Sequence, residues 1–212
     1  MTADPPVPPT LGAILAGGLA RRLGGGDKTL RVVGGRTVLS RLIGRLAPCV
    51  TRLIINANDD PGRFEALGLP VVADGLPDRP GPLAGILTAL EWAAAANPAI
   101  EWVVTVPGDA PFAPPDLVPR LHAARRRARA VLACAGSLGR VHPVAGLWPV
   151  SIRHELRDAV ALRGLRRVDR FAGRYPCAVE QWAADPVDPF FNVNTPEDLA
   201  EADRLAAIHP GL

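Results

Sequence analysis

Of the 24 basic residues in this 212-residue chain, 23 are arginine. The single lysine, Lys28, closes a segment that reads AGGLARRLGGGDK from Ala16. A chain that uses arginine almost everywhere has kept one ammonium, and its neighbours suggest why. Five glycines in this segment let the backbone approach a phosphate with its amide N–H groups turned inward. Arg21, Arg22 and Lys28 add the positive charge such a group requires. The order is neither GxxxxGK[ST] nor GxGxxG, which argues against a Walker-type NTPase and a dinucleotide dehydrogenase. Asp109, in VPGDAP, is a second chemical position: a compact carboxylate able to hold a hard divalent cation such as Mg²⁺ together with substrate phosphates. Asn56 and Asp74, each ending an apolar run, are polar groups able to read a base or a ribose. Each feature alone has a plain alternative as a surface loop or a turn former. The combination favours phosphate chemistry.

These positions need a scaffold that gathers distant loops at one place, and the apolar runs before them supply it. Leu11–Leu15, Arg52–Asn56, Pro70–Ala73 and Trp102–Val106 read as strands, each stopping at a polar or turn cluster. Thr37–Leu46 and Leu83–Ala96 between them carry helical patterns. Apolar strands alternating with helices imply a mostly parallel sheet covered on both faces, a single three-layer Rossmann-like α/β domain. Ligands in such sheets bind beyond the carboxyl ends of the strands, where the polar residues above fall. In the second half, Ala130–Ala135 and Val144–Trp148 suggest strands and Ser151–Leu162 a helix. Thr195-Pro196-Glu197-Asp198 opens a last helix, with Thr as N-cap and Pro at the first helical position. Residues 1–10 read as a frayed proline-rich arm, and 11–212 as one domain.

Composition narrows the class. Hydrophobic residues at 48% and charged ones at 21% exclude wholesale disorder. The 21 glycines and 23 prolines fall in short clusters between apolar runs, as tight turns do. No apolar stretch reaches the roughly 18 residues of a membrane span, and the N-terminus lacks a signal-peptide pattern. The expectation is a cytoplasmic protein without membrane contact. A net charge of +3 is too small to argue for nucleic acid. Cys49, Cys134 and Cys177 lack CxxC spacing and read as core thiols, and the four histidines form no zinc pattern.

The motifs together resemble those of molybdenum cofactor guanylyltransferases, the MobA family, within the nucleotidyltransferases of the nucleotide-diphospho-sugar fold. Leu15-Ala16-Gly17-Gly18, Arg22, Gly24-Gly25 and Asp27-Lys28 match LAGGxxxRxGGxDK. Asn56 in INAN, Asp74 in VVAD, Gly81–Gly85 in GPLAG, Asp109 in GDAP and Asn192–Pro196 in NVNTP follow in the expected order, so the likeness spans nearly the whole chain. It implies transfer of GMP from Mg-GTP to the molybdenum–molybdopterin cofactor, with release of pyrophosphate. Carried over by motif, Leu15, Ala16, Gly17, Lys28, Asn56, Asp74 and Asp109 would bind GTP, with Asp109 also holding Mg²⁺. Arg22, Gly25, Gly81, Gly85, Asn192 and Asn194 would face the pterin, and Lys28, Asp109 and Arg22 would carry catalysis. Transient contact with cofactor-biosynthesis proteins or molybdoenzyme chaperones is implied as well. The competing readings are a related enzyme using CTP or another nucleotide, and a non-catalytic nucleotide sensor.

Some features stay open at this level. Arg125–Arg129 is either a binding patch or a solvated helix face. His142 is either structural or near the acceptor. Trp92 and Trp102 read as core, whereas Trp148 and Trp182 are candidates for the border of the acceptor pocket. Lys28 is expected on an exposed loop that carries little packing.

Overall fold

A computed structural model describes residues 6–17, 27–76 and 81–211. Strand β1 (Thr10–Leu15) begins one residue inside the expected arm, and Thr10 is fully buried there. After a short 3-10 turn at Lys28–Leu30, a two-residue ribbon of β2 (Val32–Val33) and β3 (Arg36–Thr37) leads into α1 (Val38–Leu46). Thr37 caps α1 by accepting the Ser40 amide, as the residue type predicts. Then follow β4 (Arg52–Asn56), β5 (Val71–Val72), α2 (Pro82–Ala96), β6 (Trp102–Pro107) and α3 (Leu117–Ala128). The second half comprises β7 (Leu132–Ser137), β8 (Arg140–Pro149), α4 (Arg153–Ala161), α5 (Val168–Ala172), β9 (Cys177–Gln181) and α6 (Pro196–Ile208).

The main sheet has seven strands in the order β5-β4-β1-β6-β8-β7-β9. β1, β4, β5 and β6 are mutually parallel, β8 is antiparallel to both neighbours, and β9 runs parallel to β7. The single reversed strand has a consequence for the site. It brings the amino end of β8 beside the carboxyl ends of β1, β4 and β6. Successive side chains point to opposite faces, so β1 sends Leu11 and Ala13 to one core and Ile14 to the other. One core packs α1, α3 and α6 against the sheet, and the other packs α2, α4 and α5. Each fully buried Leu, Ile or Phe contributes about 1.5–3 kcal/mol of hydrophobic stabilisation before entropy is counted.

The sequence reading placed most elements within a few residues. It extended β5 to Pro70–Ala73, of which two residues pair, and it ran Ser151–Leu162 together, where a 3-10 turn at Val150–Ile152 precedes α4. It missed the β2–β3 ribbon, α5 and β9, and gave no bounds for α3. β9 is an edge strand whose CAVEQ sequence carries little apolar signal. Cys134 and Cys177, far apart in sequence, meet on β7 and β9 as free thiols with sulfurs 3.4 Å apart. Among the described residues no helix is long and apolar enough to cross a membrane.

Candidate active site

A cleft of about 450 Å³ opens at the carboxyl ends of β1, β4 and β6, a volume within the range of small-molecule sites. It is lined by Leu15, Ala16 and Gly17 from β1, by Lys28 and Thr29, and by Asn56, Asn58 and Asp74 at the ends of β4 and β5. Gly81 and Pro82 at the start of α2, Gly108 and Asp109 after β6, and Val141–Ala145, Phe190 and Asn192 complete it. Arg22 and Gly25 lie outside the described residues.

Lys28 and Asp109 face each other at the centre. The Lys28 Nζ donates to Asn194 Oδ1 at 2.6 Å and stands 4.0 Å from Asp109 Oδ2, with side-chain exposures of 16% and 24%. The exposed loop expected for Lys28 is thereby corrected. The residue sits in a 3-10 turn whose N-cap Asp27 accepts from the Thr29 amide and hydroxyl, at 2.8 and 2.7 Å. Asp27 is itself held by Arg63, with Nε 3.1 Å from Oδ2. Asn194 is placed by the amino end of α6, where Asp198 Oδ2 accepts the Asn194 and Thr195 amides and the Thr195 hydroxyl accepts the Asp198 amide. The N-cap expected at Thr195 is thus one half of a reciprocal capping box, and it fixes the backbone beside the Asn194 side chain that meets the lysine. The Val193 amide donates to the Asp109 carbonyl at 2.8 Å, and the Arg45 guanidinium donates to the carbonyls of Phe112 and Ala113. The carboxylate therefore stands on a braced loop.

Burial pushes the Asp109 carboxyl above its ordinary pKa, and the Lys28 ammonium only partly opposes the shift. A desolvated carboxylate with one cation 4.0 Å away has capacity for more positive charge. A single carboxylate suits Mg²⁺, which takes its other ligands from phosphates and water. Asp27 is unsuited to that task because it does not line the cleft and its carboxylate is held by Thr29 and Arg63.

On the β4–β5 side the polar groups are interlocked. The Asn56 amide nitrogen donates to the Val72 carbonyl at 3.0 Å and to Asp74 Oδ1 at 2.8 Å. Asn58 donates to Asp74 Oδ2 at 2.8 Å and accepts the Asp74 amide at 2.7 Å. Asn56 thus has both donors committed and acts as a holder, while the acceptor-only carboxylate of Asp74 lines the cleft. Gly81 and Gly85, read from sequence as facing a pterin, have visible backbone reasons. Gly81 caps α2 at φ 85°, a region side chains avoid, and turns the helix start into the cleft rim. Gly85 lies within α2, where a Cβ would stand 2.3 Å from Asn56 Oδ1. Gly85 and Asn194 adjoin the site through Asn56 and Lys28 without lining the cleft.

The β8 side is apolar. Val141, Pro143, Val144, Ala145 and Phe190 form its wall, with His142 and Asn192 as the polar side chains there. Trp148 and Trp182, the sequence candidates for this border, are buried behind it. The Trp148 indole donates to the Thr105 hydroxyl, and Trp182 donates to Asp116 and meets Phe190 edge-on. Trp102 packs into the α1/α3 core, and the Arg125 guanidinium lies over its ring. Arg127 pairs with Glu180, so this part of the basic run bonds to β9. Sequence reasoning missed Asn58, Thr29 and Phe190. INAN contains Asn58 two residues after Asn56, a spacing that returns it to the same side of the chain.

A three-layer domain whose sheet has one reversed strand, with a cation–carboxylate pair at the carboxyl ends of its strands, is the arrangement of a nucleotide-binding α/β protein of the nucleotidyltransferase kind. The chain matches the model of the MobA-like NTP transferase domain over residues 12–178, and it belongs to that family. It is 55% identical over 205 residues to a molybdenum cofactor guanylyltransferase of Nitrobacter hamburgensis, covering 97% of this chain and 98% of the relative. A protein of the same name from Rhodopseudomonas palustris is 54% identical over 208 residues, covering 98% and 96%. The crystal structure of molybdopterin-guanine dinucleotide biosynthesis protein A from Archaeoglobus fulgidus shares the fold, with a TM-score of 0.71 at 23% identity, over 93% of this chain and 99% of that one.

Proposed function

We infer that this enzyme transfers GMP from Mg-GTP to the phosphate of molybdenum-bound molybdopterin, releasing pyrophosphate and forming the guanine dinucleotide cofactor. The observation that carries the reading is Lys28 opposite Asp109, at the centre of a cleft with one polar and one apolar side, in a member of this family.

In the transfer, an oxygen of the acceptor phosphate forms a bond to the α-phosphorus of GTP, and the bond from that phosphorus to the bridging oxygen of the β-phosphate breaks. The acceptor is already an anion, so no strong general base is required, and positioning with charge neutralisation does most of the work. Lys28 offsets charge as it moves onto the leaving pyrophosphate, and Asn194 fixes the ammonium by accepting a hydrogen bond from it at Oδ1. Asp109 would hold Mg²⁺, which supplies Lewis-acid neutralisation of the phosphate oxygens. The glycine segment around Gly17 would cradle phosphates, and Arg22, Gly25 and Asn192 would meet the pterin acceptor. Asp74 reads the nucleoside. As an acceptor-only group it suits the N1–H and N2–H donors of guanine, whereas adenine presents an acceptor at N1. Cytoplasmic location and passing contact with cofactor-handling proteins accord with such a role.

The test is pyrophosphate release by the purified protein with the pterin acceptor, Mg²⁺ and GTP, ATP or CTP in turn. GTP is expected to be preferred by orders of magnitude, because a mismatched base leaves site groups unpaired. Asp74→Asn should narrow the preference. Equal turnover with CTP would overturn the assignment.

A further inference from the structure

The apolar wall depends on an irregularity in β8. Cys134 pairs with Gly146, yet its neighbour Ala135 pairs with His142, so residues 143–145 bulge out of the ladder. The bulge is anchored from beneath: the Thr105 hydroxyl donates to the Val144 carbonyl at 2.7 Å and accepts the Trp148 indole N–H at 2.9 Å. His142 stands at its edge and is fixed twice. Its ring stacks on Phe190, with centroids 4.8 Å apart and an interplanar angle of 25°, and its Nε2 lies 2.8 Å from the Oγ of fully buried Ser137. The ring is part-buried in the cleft wall, and Nε2 is engaged.

We propose that His142 is an acceptor-recognition residue: its neutral imidazole accepts from the Ser137 hydroxyl at Nε2 and presents an Nδ1–H donor to the heterocyclic body of the phosphate acceptor. The apolar residues of the wall suit a flat fused ring. They offer little to the hydroxyls of a sugar phosphate. His142 and Asn192 are the wall's polar side chains, so they can read the edge of such a ring. Burial holds the imidazole toward its neutral form, with Arg140 acting in the same direction and Asp188 opposing. Ser137 is then a positioning residue that selects the tautomer. This inference rests on the guanylyl-transfer reading.

The experiment is steady-state kinetics with both substrates varied, beside direct binding of the pterin acceptor to the nucleotide-free protein. His142→Phe keeps the stack and deletes both nitrogens. His142→Asn restores a donor close to the position of Nδ1. The Phe variant should raise the acceptor KM and Kd about tenfold, the effect of losing one hydrogen bond in a dry pocket. Its GTP KM should stay within twofold, and the Asn variant should recover most of the loss. Ser137→Ala should raise the acceptor KM less, because the neutral ring can then take the other tautomer, and the rise should shrink below pH 7, where protonation restores the Nδ1–H donor. An unchanged acceptor KM and Kd in the Phe variant would overturn the proposal. So would equal losses for both substrates, which would mark a structural role. Should the wild-type enzyme prefer another nucleotide, the guanylyl reading fails while the acceptor comparison still decides His142.

Discussion

Two histidines at opposite ends of the sheet have nearly the same local chemistry and different surroundings. His122 on α3 lies 2.9 Å from the Thr10 hydroxyl and meets the Trp102 ring edge-on at 5.6 Å. His142 on β8 lies 2.8 Å from the Ser137 hydroxyl and stacks on Phe190 at 4.8 Å. His122 sits where β1 and β6 begin and has no exposed surface, whereas His142 lines the cleft where those strands end. A hydroxyl–imidazole–aromatic cluster is therefore not a site by its composition. The amino end of a parallel sheet closes over its core, and the carboxyl end leaves strand-end groups open to a ligand. Substitutions at the two ends should accordingly separate: those at the carboxyl end lower rate, and those at the amino end lower stability.

The strongest challenge to that separation comes from Asp109. Its carboxylate is desolvated and held mainly by an ammonium 4.0 Å away, so the fold gains little from its charge. Asp109→Asn should slow guanylyl transfer by at least about 10²-fold, comparable with losing one preorganised electrostatic contact. The melting temperature should hold or rise, as is common where a functional group is strained. A variant that transfers normally at saturating Mg²⁺ would remove Asp109 from the chemistry, and a variant that unfolds would blur the two ends.

Lys28 sharpens the comparison, because the structure gives it a share in both roles. Its Nζ lies 2.6 Å from Asn194 Oδ1 and 4.0 Å from Asp109, a confined position for a point charge. The planar guanidinium is wider and seeks bidentate partners. Lys28→Arg should lose roughly 10- to 50-fold in rate although charge is kept, a cost of about 1.4–2.3 kcal/mol in the transition state. Lys28→Ala should lose GTP affinity as well as rate. The Ala variant should also lose about 1 kcal/mol of stability through the bond to Asn194, in contrast to the indifference expected of an exposed loop. Kinetics beside urea unfolding would measure both, and wild-type rates in the Arg variant would reduce Lys28 to diffuse charge.

How much of this was legible before the fold was known depends on whether the signal was local. Arg52–Asn56 and the Thr195 cap were readable because apolar runs and capping chemistry act within a few residues. Asp109, Asp74 and Lys28 were readable as strand-end and loop-end oddities, and all three line the cleft. His142 was legible only as either structural or near the acceptor, because its place depends on β8 running against its neighbours and on a bulge anchored by Thr105 and Trp148. Nothing in RVHPVAGLW states the direction of the strand. Asn194 illustrates a third case. Its motif was visible, but its contact with Lys28 joins residues 166 apart and follows from how α6 packs.

The smallest expected effect belongs to the amino end and tests it by pH. Burial, followed by the nearby Arg125 and Arg126 charges, lowers the His122 pKa from 6.5 to about 4. The folded protein thus keeps this ring neutral where the unfolded chain would protonate it. Above pH 6.5 both states are neutral and the residue adds no pH dependence. As pH falls from 6.5 toward 4, the unfolded state binds the extra proton and stability drops. Between pH 7.5 and 5.5 this amounts to somewhat more than about 1 kcal/mol, from the linkage of the two pKa values. The Nδ1 of His122 is buried without a hydrogen-bond partner among the described residues, so protonation there would find no acceptor in place among them. Urea unfolding of the wild type and of His122→Gln at several pH values isolates the contribution. The variant should be less stable at pH 7.5, having lost the fit against Trp102, and its curve should fall less toward pH 5.5. Parallel curves would mean that the ring protonates in the folded state without penalty, and the closed amino end would then be less dry than its packing implies.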